Sequence, residues 1–184
     1  MEKITKELIL KTAQELVETQ GMEKVTLAKV GAALGISHAA LYKHFKNKQD
    51  LWTSLALTWL DETLIDIFPF QTKGYTNKID ILHDWLWIMT ERKMMAYKND
   101  PVMFKLYTTY IDGNPDALDI HLHDLYNSLS TALNYSDQNN LETIMRGFTT
   151  FSSPKYADTW DSHTKSQFEQ LWTIMEPGIN KLLS

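Results

Sequence analysis

Apolar residues recur at helical spacing along almost the whole chain, whereas the alternation that marks a β-strand is nowhere sustained. Glycine and proline, which interrupt helices, number only 7 and 5. In the first segment, about residues 3–20, one helix face is formed by Ile4, Leu8, Ala13, Leu16 and Val17. The pattern therefore predicts an all-α protein of about nine helices.

The helix boundaries follow from residues that start or stop helices. Gly21 suits the left-handed position after the first helix, and Thr26 and Ser37 are N-cap residues for the next two. Asn114 followed by proline is another start signal, and Pro177 is expected to kink the last helix. The predicted helices cover about residues 3–20, 27–34, 38–45, 48–68, 78–98, 102–111, 114–134, 138–152 and 163–183.

The window from Thr26 to Leu51, TLAKVGAALGISHAALYKHFKNKQDL, has the most specific pattern in the chain. Its spacings predict two short helices that cross at a steep angle through a tight turn. Gly31 would lie where the helix backbones approach most closely, and Gly35 can adopt the positive φ of the turn. The second helix, residues 37–44, would be exposed and able to enter a DNA major groove about 12 Å wide. Buried contacts are expected from Val30, Leu34, Ile36 and Leu41.

Charge is distributed unevenly along the chain. The net charge is −5, but residues 1–52 hold 8 Lys against 6 acidic residues, whereas residues 53–184 hold 10 Lys and Arg against 17. From Lys24 to Gln49 there are five Lys and two His, with no Asp or Glu. An acid-free basic stretch in an acidic chain indicates a surface that faces phosphate groups.

One set of residues in this window falls in register without a gap: Thr26, Val30-Gly31, Leu34-Gly35-Ile36-Ser37, Leu41-Tyr42-Lys43-His44-Phe45, Lys48 and Leu51. The set resembles the N-terminal DNA-binding domain of TetR-type transcriptional regulators, over roughly residues 5–52. The family more often has alanine where this chain has Gly31, and Leu34 and His38 are also less usual choices. The resemblance implies a helix-turn-helix domain over residues 1–47 and a helical ligand-binding and dimerisation domain over residues 48–184.

The resemblance also implies particular contacts with DNA. Residues 37–40 would face base edges, while Tyr42, His44 and Lys48 match phosphate-contacting positions. Packing of Tyr42 in the core is an equally open alternative. The domain has no arginine, so sequence preference would depend on lysine, histidine, methyl contacts and DNA shape. The implied DNA-binding residues are Thr26, Ser37, His38, Ala39, Ala40, Tyr42, Lys43, His44, Lys46 and Lys48.

The region beyond the helix-turn-helix is rich in aromatic residues, and all six Trp lie at or after residue 52. Such residues line adaptable cavities, but they equally fill an ordinary core. TetR-type regulators bind a small ligand between their middle helices and pair through their last two, here about 138–152 and 163–183. The candidate ligand-binding residues are Trp59, His83, Trp85, Met89, Arg92, Met103, Phe104, Tyr107, Tyr110 and Met145.

Several classes of chemistry are disfavoured by what the sequence lacks. With no cysteine, disulfides, thiolate zinc sites and iron–sulfur clusters are ruled out. His121 and His123 are two residues apart on a helix and do not face one metal ion. There is also no Gly-rich phosphate loop and no H-E-x-x-H motif. We therefore expect no cofactor, no metal and no enzymatic activity.

The function indicated is that of a ligand-responsive transcriptional regulator. It would be a homodimeric repressor that binds a palindromic double-stranded DNA operator and is released by a small-molecule effector. The chain has no run of about 18 apolar residues and no start resembling a signal peptide, so a cytoplasmic location without membrane contact is expected. Two alternatives are an interaction protein whose helix-turn-helix has lost DNA binding, and an enzyme that uses the aromatic C-terminal region.

Overall fold

A computed structural model describes residues 4–184, which form α-helices, a few short 3-10 or π-helical segments and the turns and loops between them, with no strand among them. This confirms the all-α prediction. The predicted start of the first helix, at residue 3, lies outside the described residues. The helices are α1 (Lys6–Gln20), α2 (Leu27–Ala33), α3 (His38–Leu41), α4 (Lys48–Thr63), α5 (Lys78–Asn99), α6 (Pro101–Tyr107), α7 (Pro115–Leu133), α8 (Gln138–Gly147), α9 (Thr149–Ser152) and α10 (Thr164–Leu183).

Four predicted helices differ from the observed ones. The helix expected over 102–111 is α-helical only to Tyr107 and continues as a π-helical segment, Thr108–Asp112. The helix expected over 138–152 is divided into α8 and α9, because Phe148 leaves helical geometry at φ −102° and ψ 14°. The helix expected to reach residue 68 ends at Thr63, and a short 3-10 turn, Ile65–Ile67, follows. The third helix ends at Leu41 rather than near Phe45, and single turns continue the chain.

Helix α1 shows how local sequence sets the fold. The Thr5 hydroxyl accepts the backbone N–H of Leu8 at 3.2 Å and caps the start, and Gly21, at φ 82°, ends the helix. The predicted apolar face is partly wrong, since Ile4, Leu8 and Leu16 are only half-buried. The helix instead turns a neighbouring face inward, made of Ile9, Leu10, Ala13 and Val17.

The chain divides into two compact units. The first comprises the residues up to Glu62 together with Asp100–Leu118, and the second comprises Thr63–Asn99 together with Asp119–Ser184. In the first unit, α1 packs against α2 and α6, and α2 packs against α3. Its core includes the fully buried side chains of Ile9, Val30, Leu41, Phe45 and Trp52.

The second unit, which we call the C-terminal unit, is built on α5 and α10. An aromatic cluster fills its core, with the rings of Phe148 and Phe168 5.3 Å apart and those of Phe148 and Trp172 6.0 Å apart. Trp85, also fully buried, donates its indole N–H to the Ser128 hydroxyl at 3.1 Å. Within residues 4–184, no helix combines the length and apolar character needed to cross a membrane.

Candidate nucleic-acid interface

Helix α2 and the turn after it have the geometry that the sequence predicts. The Thr26 hydroxyl accepts the backbone N–H of Lys29 at 3.3 Å and so caps α2. Gly35 takes a φ of 64°, as expected for the turn, and the N–H of Ile36 donates to the Gly31 carbonyl at 2.9 Å. A Cβ added at Gly31 would lie 3.2 Å from the Ile36 carbonyl oxygen, so the close backbone approach at this glycine is to the turn and not, as predicted, to the second helix.

Helix α3 is a short element held at both of its ends. The Ser37 hydroxyl accepts the N–H of Ala40 at 3.2 Å, which caps its start. Leu41 at its end is fully buried, and Phe45 in the following turn is 1% exposed. The predicted burial of Leu34 and Ile36 is wrong, because both are only half-buried in the turn. One face of α3 is thus anchored while its first residues remain at the surface.

The predicted DNA-binding residues lie mainly on the surface of the first unit. Eight of the ten are exposed, and only Ala40 and His44 are half-buried. Tyr42 is 43% exposed, so the alternative that it belongs to the core does not hold. The rings of His38 and Tyr42 are 4.7 Å apart in an edge-to-face arrangement. The structure therefore brings a predicted base-reading residue and a predicted phosphate contact together.

Two acidic groups near this surface are held by local hydrogen bonds. The Asp50 carboxylate accepts the N–H of Lys46 at 2.8 Å, and the N–H of Asp50 donates to the Asn47 side-chain oxygen at 2.8 Å, a reciprocal cap at the start of α4. The pKa of the Glu7 carboxyl is lowered first by a backbone hydrogen bond and then by Thr5, with a small contribution from His44. Residues 24–49 themselves contain no acidic side chain, so their positive charge is not balanced within the stretch.

Five of the ten candidate ligand-binding residues belong to the first unit: Trp59, Met103, Phe104, Tyr107 and Tyr110. The ring of Tyr107 lies 6.3 Å from that of Trp59 and 5.6 Å from that of Phe104. Burial raises the pKa values of both tyrosines. The structure thus gathers three of the five into one aromatic group, and their role in ligand binding stays a prediction.

A carboxylate that the sequence did not single out is attached to this aromatic group. Asp100 accepts the indole N–H of Trp59 at 3.0 Å through Oδ2 and the backbone N–H of Met103 at 3.2 Å through Oδ1. The Asp100 side chain therefore caps the start of α6 and also orients the Trp59 indole on α4. The Asn-Asp-Pro sequence at residues 99–101 indicated only a break between helices.

The other five candidates lie in the C-terminal unit and make separate contacts. Both ring nitrogens of His83 face carboxylates, with Nδ1 2.8 Å from an Asp84 oxygen and Nε2 3.0 Å from a Glu169 oxygen, and the protonated ring donates to both. Arg92 forms an ion pair with Asp66. The three remaining candidates are buried, namely Trp85, Met89 and Met145.

Sequence reasoning also missed a buried pair of basic side chains in the C-terminal unit. Lys93 is 4% exposed, and its Nζ lies 3.5 Å from Nε2 of His121, which is 2% exposed. Burial, and secondarily the Lys93 charge, lowers the pKa of His121 well below 6.5. The sequence does not indicate that Lys93 is buried, because it follows Glu91 and Arg92 in a charged run that is typical of a solvent-exposed helix face. Residues 4–184 contain no group of three or more His, Asp or Glu arranged to hold a metal ion.

Known proteins share this N-terminal sequence. A sequence model of bacterial regulatory proteins of the tetR family matches residues 9–55. The chain is 43% identical over 56 residues to the tetracycline repressor protein class C of Escherichia coli, covering 30% of this chain and 26% of that repressor. It is 26% identical over 128 residues to the nucleoid occlusion factor SlmA of Idiomarina loihiensis, covering 70% and 63%. Each alignment spans less than two thirds of the relative's length.

Solved structures share the fold over nearly the whole chain. A TetR transcriptional regulator from Rhodococcus sp. RHA1 superposes with a TM-score of 0.61 at 15% identity, covering 91% of this chain and 93% of that one. A TetR-family regulator from Streptomyces coelicolor gives 0.55 at 17% identity, covering 97% and 96%. The helix-turn-helix geometry and the match over residues 9–55 identify this N-terminal region as a DNA-binding domain of the tetR family of bacterial regulatory proteins, and the whole chain shares the all-α fold of such regulators.

Proposed function

We propose that this protein is a DNA-binding transcriptional regulator that acts as a homodimeric repressor and is released from a palindromic operator by a small molecule. The observation that carries the proposal is the exposed surface of residues 24–49, which contains five Lys, two His and no acid on a capped helix-turn-helix. Under this proposal the DNA-binding domain is residues 1–47, and residues 48–184 bind the ligand and form the dimer.

The roles of the surface residues follow from their placement. Ser37, His38 and Ala39 lie exposed at the start of α3, where side chains can reach base edges in a major groove. Lys43, Lys46 and Lys48 are exposed beyond it, as expected for groups that neutralise phosphates. Because Thr26 caps α2, it would present a hydroxyl and a helix N-terminus to a phosphate.

The last two long helices support a dimer. On α10, Ile174 is 76% exposed and Leu182 is 43% exposed, which is unusual for large apolar side chains. On α8, Gly147 is exposed and a Cβ there would lie 3.4 Å from Cε of Met175 on α10, so the two helices pack closely. Pairing through this surface would join two helix-turn-helix units, which would then read a palindrome.

The proposal is tested by selecting bound duplexes from a random DNA library at about 50 and 200 mM salt. We expect enrichment of a palindrome whose affinity falls steeply with salt. Lys48→Gln should weaken binding to all sequences and reduce by about one the slope of log affinity against log salt concentration. His38→Ala should instead change the preferred sequence. Lys73→Gln, an exposed lysine in the loop before α5, is the matched control. Failure to enrich any sequence at low salt, with the chain folded, would contradict the proposal.

A second candidate function is nucleoid occlusion, the role in the name of the SlmA relative. The observation favouring it is that this alignment extends over 128 residues, well beyond the helix-turn-helix. Both functions require DNA binding, so the library selection does not separate them. Mapping bound sites across a genome does, because a repressor acts at the promoters of its target genes, whereas a protein that acts on the nucleoid as a whole need not be confined to promoters.

A further inference from the structure

Two exposed aromatic side chains lie against each other at α3, on the surface of the first unit. His38 is the first residue of α3, and Tyr42 follows its last residue with helical geometry, at φ −68° and ψ −11°. The Tyr42 N–H donates to the His38 carbonyl at 3.1 Å, so the two residues are one helical turn apart. Residues four positions apart on a helix project from the same face, and their side chains can therefore touch.

The two rings have the geometry of a favourable aromatic pair. Their centroids are 4.7 Å apart and their planes meet at 68°. Aromatic rings prefer such edge-to-face arrangements, at centroid distances of about 4.5–7 Å. Ala39 and Ala40, which lie between His38 and Tyr42 in the sequence, have side chains too small to hold an imidazole ring. The orientation of the His38 ring therefore depends on Tyr42.

The backbone on both sides of Tyr42 is anchored in the core, although the Tyr42 ring itself is 43% exposed. Leu41, directly before it, is fully buried, and Phe45, three residues later, is 1% exposed. Tyr42 is thus carried by a fixed backbone and can restrict the neighbouring His38 ring. A side chain that is oriented before binding loses less conformational freedom when it meets its partner.

The His38 ring is available for contact with DNA. It is exposed, and within residues 4–184 neither of its ring nitrogens has a hydrogen-bond partner. An imidazole carries at least one N–H in either protonation state, whereas it has an acceptor nitrogen only when it is neutral. A hydrogen-bond donor is therefore the group that His38 always presents.

A donor at this position favours guanine among the four bases. In the major groove guanine presents two acceptors, N7 and O6, and no donor. Adenine and cytosine each present an amino donor there, and thymine has a methyl group beside its one acceptor. Arginine, the commonest reader of guanine, is absent from residues 1–52. Among residues 37–40, which are predicted to face base edges, His38 is the one with a side-chain nitrogen.

We propose that His38 donates a hydrogen bond to a guanine of the bound DNA, and that Tyr42 is the positioning residue that holds the His38 ring for this contact. The inference rests on the function proposed above and adds to it the recognised base and a second role for Tyr42. A tyrosine that only contacts a phosphate contributes to the binding of every sequence alike. A tyrosine that orients His38 contributes to the preference for guanine, so the two roles can be separated.

The test measures base preference by selection from a random DNA library with the full chain and its variants. The original chain should enrich a guanine at one position of the selected site, and His38→Ala should reduce that preference about tenfold. Tyr42→Leu should reduce it about three- to tenfold, as expected for the loss of an aromatic pair, whereas Tyr42→Phe retains the ring and should keep the preference. Lys48→Gln, at a predicted phosphate contact, should lower affinity without changing the preference.

The double variant shows whether Tyr42 acts through His38. Adding Tyr42→Leu to His38→Ala should not change the preference further, because the side chain that Tyr42 orients is then missing. Thermal unfolding confirms that each variant folds.

Three results would overturn the inference. The base whose preference is lost in His38→Ala could be one other than guanine, Tyr42→Leu could lower affinity for every sequence and leave the guanine preference intact, or Tyr42→Leu could change the preference equally in the presence and absence of His38. Failure of the original chain to enrich any sequence would contradict the proposed function itself, which distinguishes the two failures.

Discussion

The helix-turn-helix and the C-terminal unit place their polar side chains in opposite ways. Between Thr26 and Lys48 the hydroxyls and charges lie at the surface, and short caps hold the backbone beneath them. In the C-terminal unit, a lysine and a histidine, Lys93 and His121, are buried beside each other. Substitutions at the surface of the first region should thus have little effect on folding. In the C-terminal unit these two polar side chains are buried, so the stability of the unit depends on them and on their protonation.

This difference decides what a substitution in each region should change. An exposed side chain contributes little to the free energy of unfolding, so its loss is detected in binding. A buried side chain leaves a cavity or an unpaired group when it is removed, so its loss is detected in stability. Stability measurements on single substitutions therefore test the comparison directly.

The largest effect is expected from Trp85→Ala in the core of the C-terminal unit. Trp85 is fully buried and donates to Ser128, so its loss should lower the free energy of unfolding by about 3–5 kcal/mol. Urea denaturation measures this change. Trp87→Ala is the matched control on the same helix, and because Trp87 is half-buried its loss should be clearly smaller. Equal losses would show that burial does not separate the two positions.

The next largest effect concerns His121 and acid. Its pKa is well below 6.5 in the folded chain, so below about pH 6.5 the unfolded chain binds a proton that the folded chain does not. Stability should fall as the pH drops from 7 to 5, with His121 contributing about 1–2 kcal/mol of the loss. In His121→Gln the free energy of unfolding should fall less between pH 7 and pH 5, as measured by denaturation at both pH values.

His123→Gln is the control for this prediction. His123 is two residues further along α7 and exposed. Its substitution should leave the pH dependence as it is in the original chain. If His121→Gln also leaves the dependence unchanged, then the buried pair does not govern acid stability.

How far sequence reasoning succeeds follows the same division. Thr26, Ser37 and Gly35 were predicted correctly because a cap or a positive φ is determined by neighbouring residues. The pairing of Lys93 with His121 was not predicted, because these residues are 28 positions apart in the sequence and lie on different helices. The ring contact between Tyr97 of α5 and Trp160, 63 positions later, was missed for the same reason, since helical spacing within α5 does not indicate which later segment packs against it.

A smaller effect is expected at the caps of the helix-turn-helix. Ser37→Ala removes the oxygen that accepts the Ala40 N–H and should lower the free energy of unfolding by about 1 kcal/mol, and Thr26→Ala should do the same for α2. Ser37→Thr and Thr26→Ser retain the acceptor and should change stability by only a few tenths of that. Chemical denaturation at neutral pH measures all four. If the free energy of unfolding fell as much as in Trp85→Ala, the caps would be as important for stability as the buried core, and the comparison between the two regions would be wrong.

The smallest effect is expected at His83, whose pH dependence has the opposite sign to that of His121. Burial alone would lower the pKa of His83, but the hydrogen bonds to Asp84 and Glu169 outweigh it and raise the pKa above 6.5. The protonated ring therefore ties α5 to α10 at low pH, and this contribution is lost as the pH rises through the folded pKa. Because both carboxylates are more than 40% exposed, solvent screening limits it to about 1 kcal/mol or less. Glu169→Gln should accordingly destabilise the chain at pH 6 and much less at pH 9 in denaturation experiments. A loss that is equal at both pH values would mean that Glu169 stabilises α10 by packing, without pairing with a charged His83.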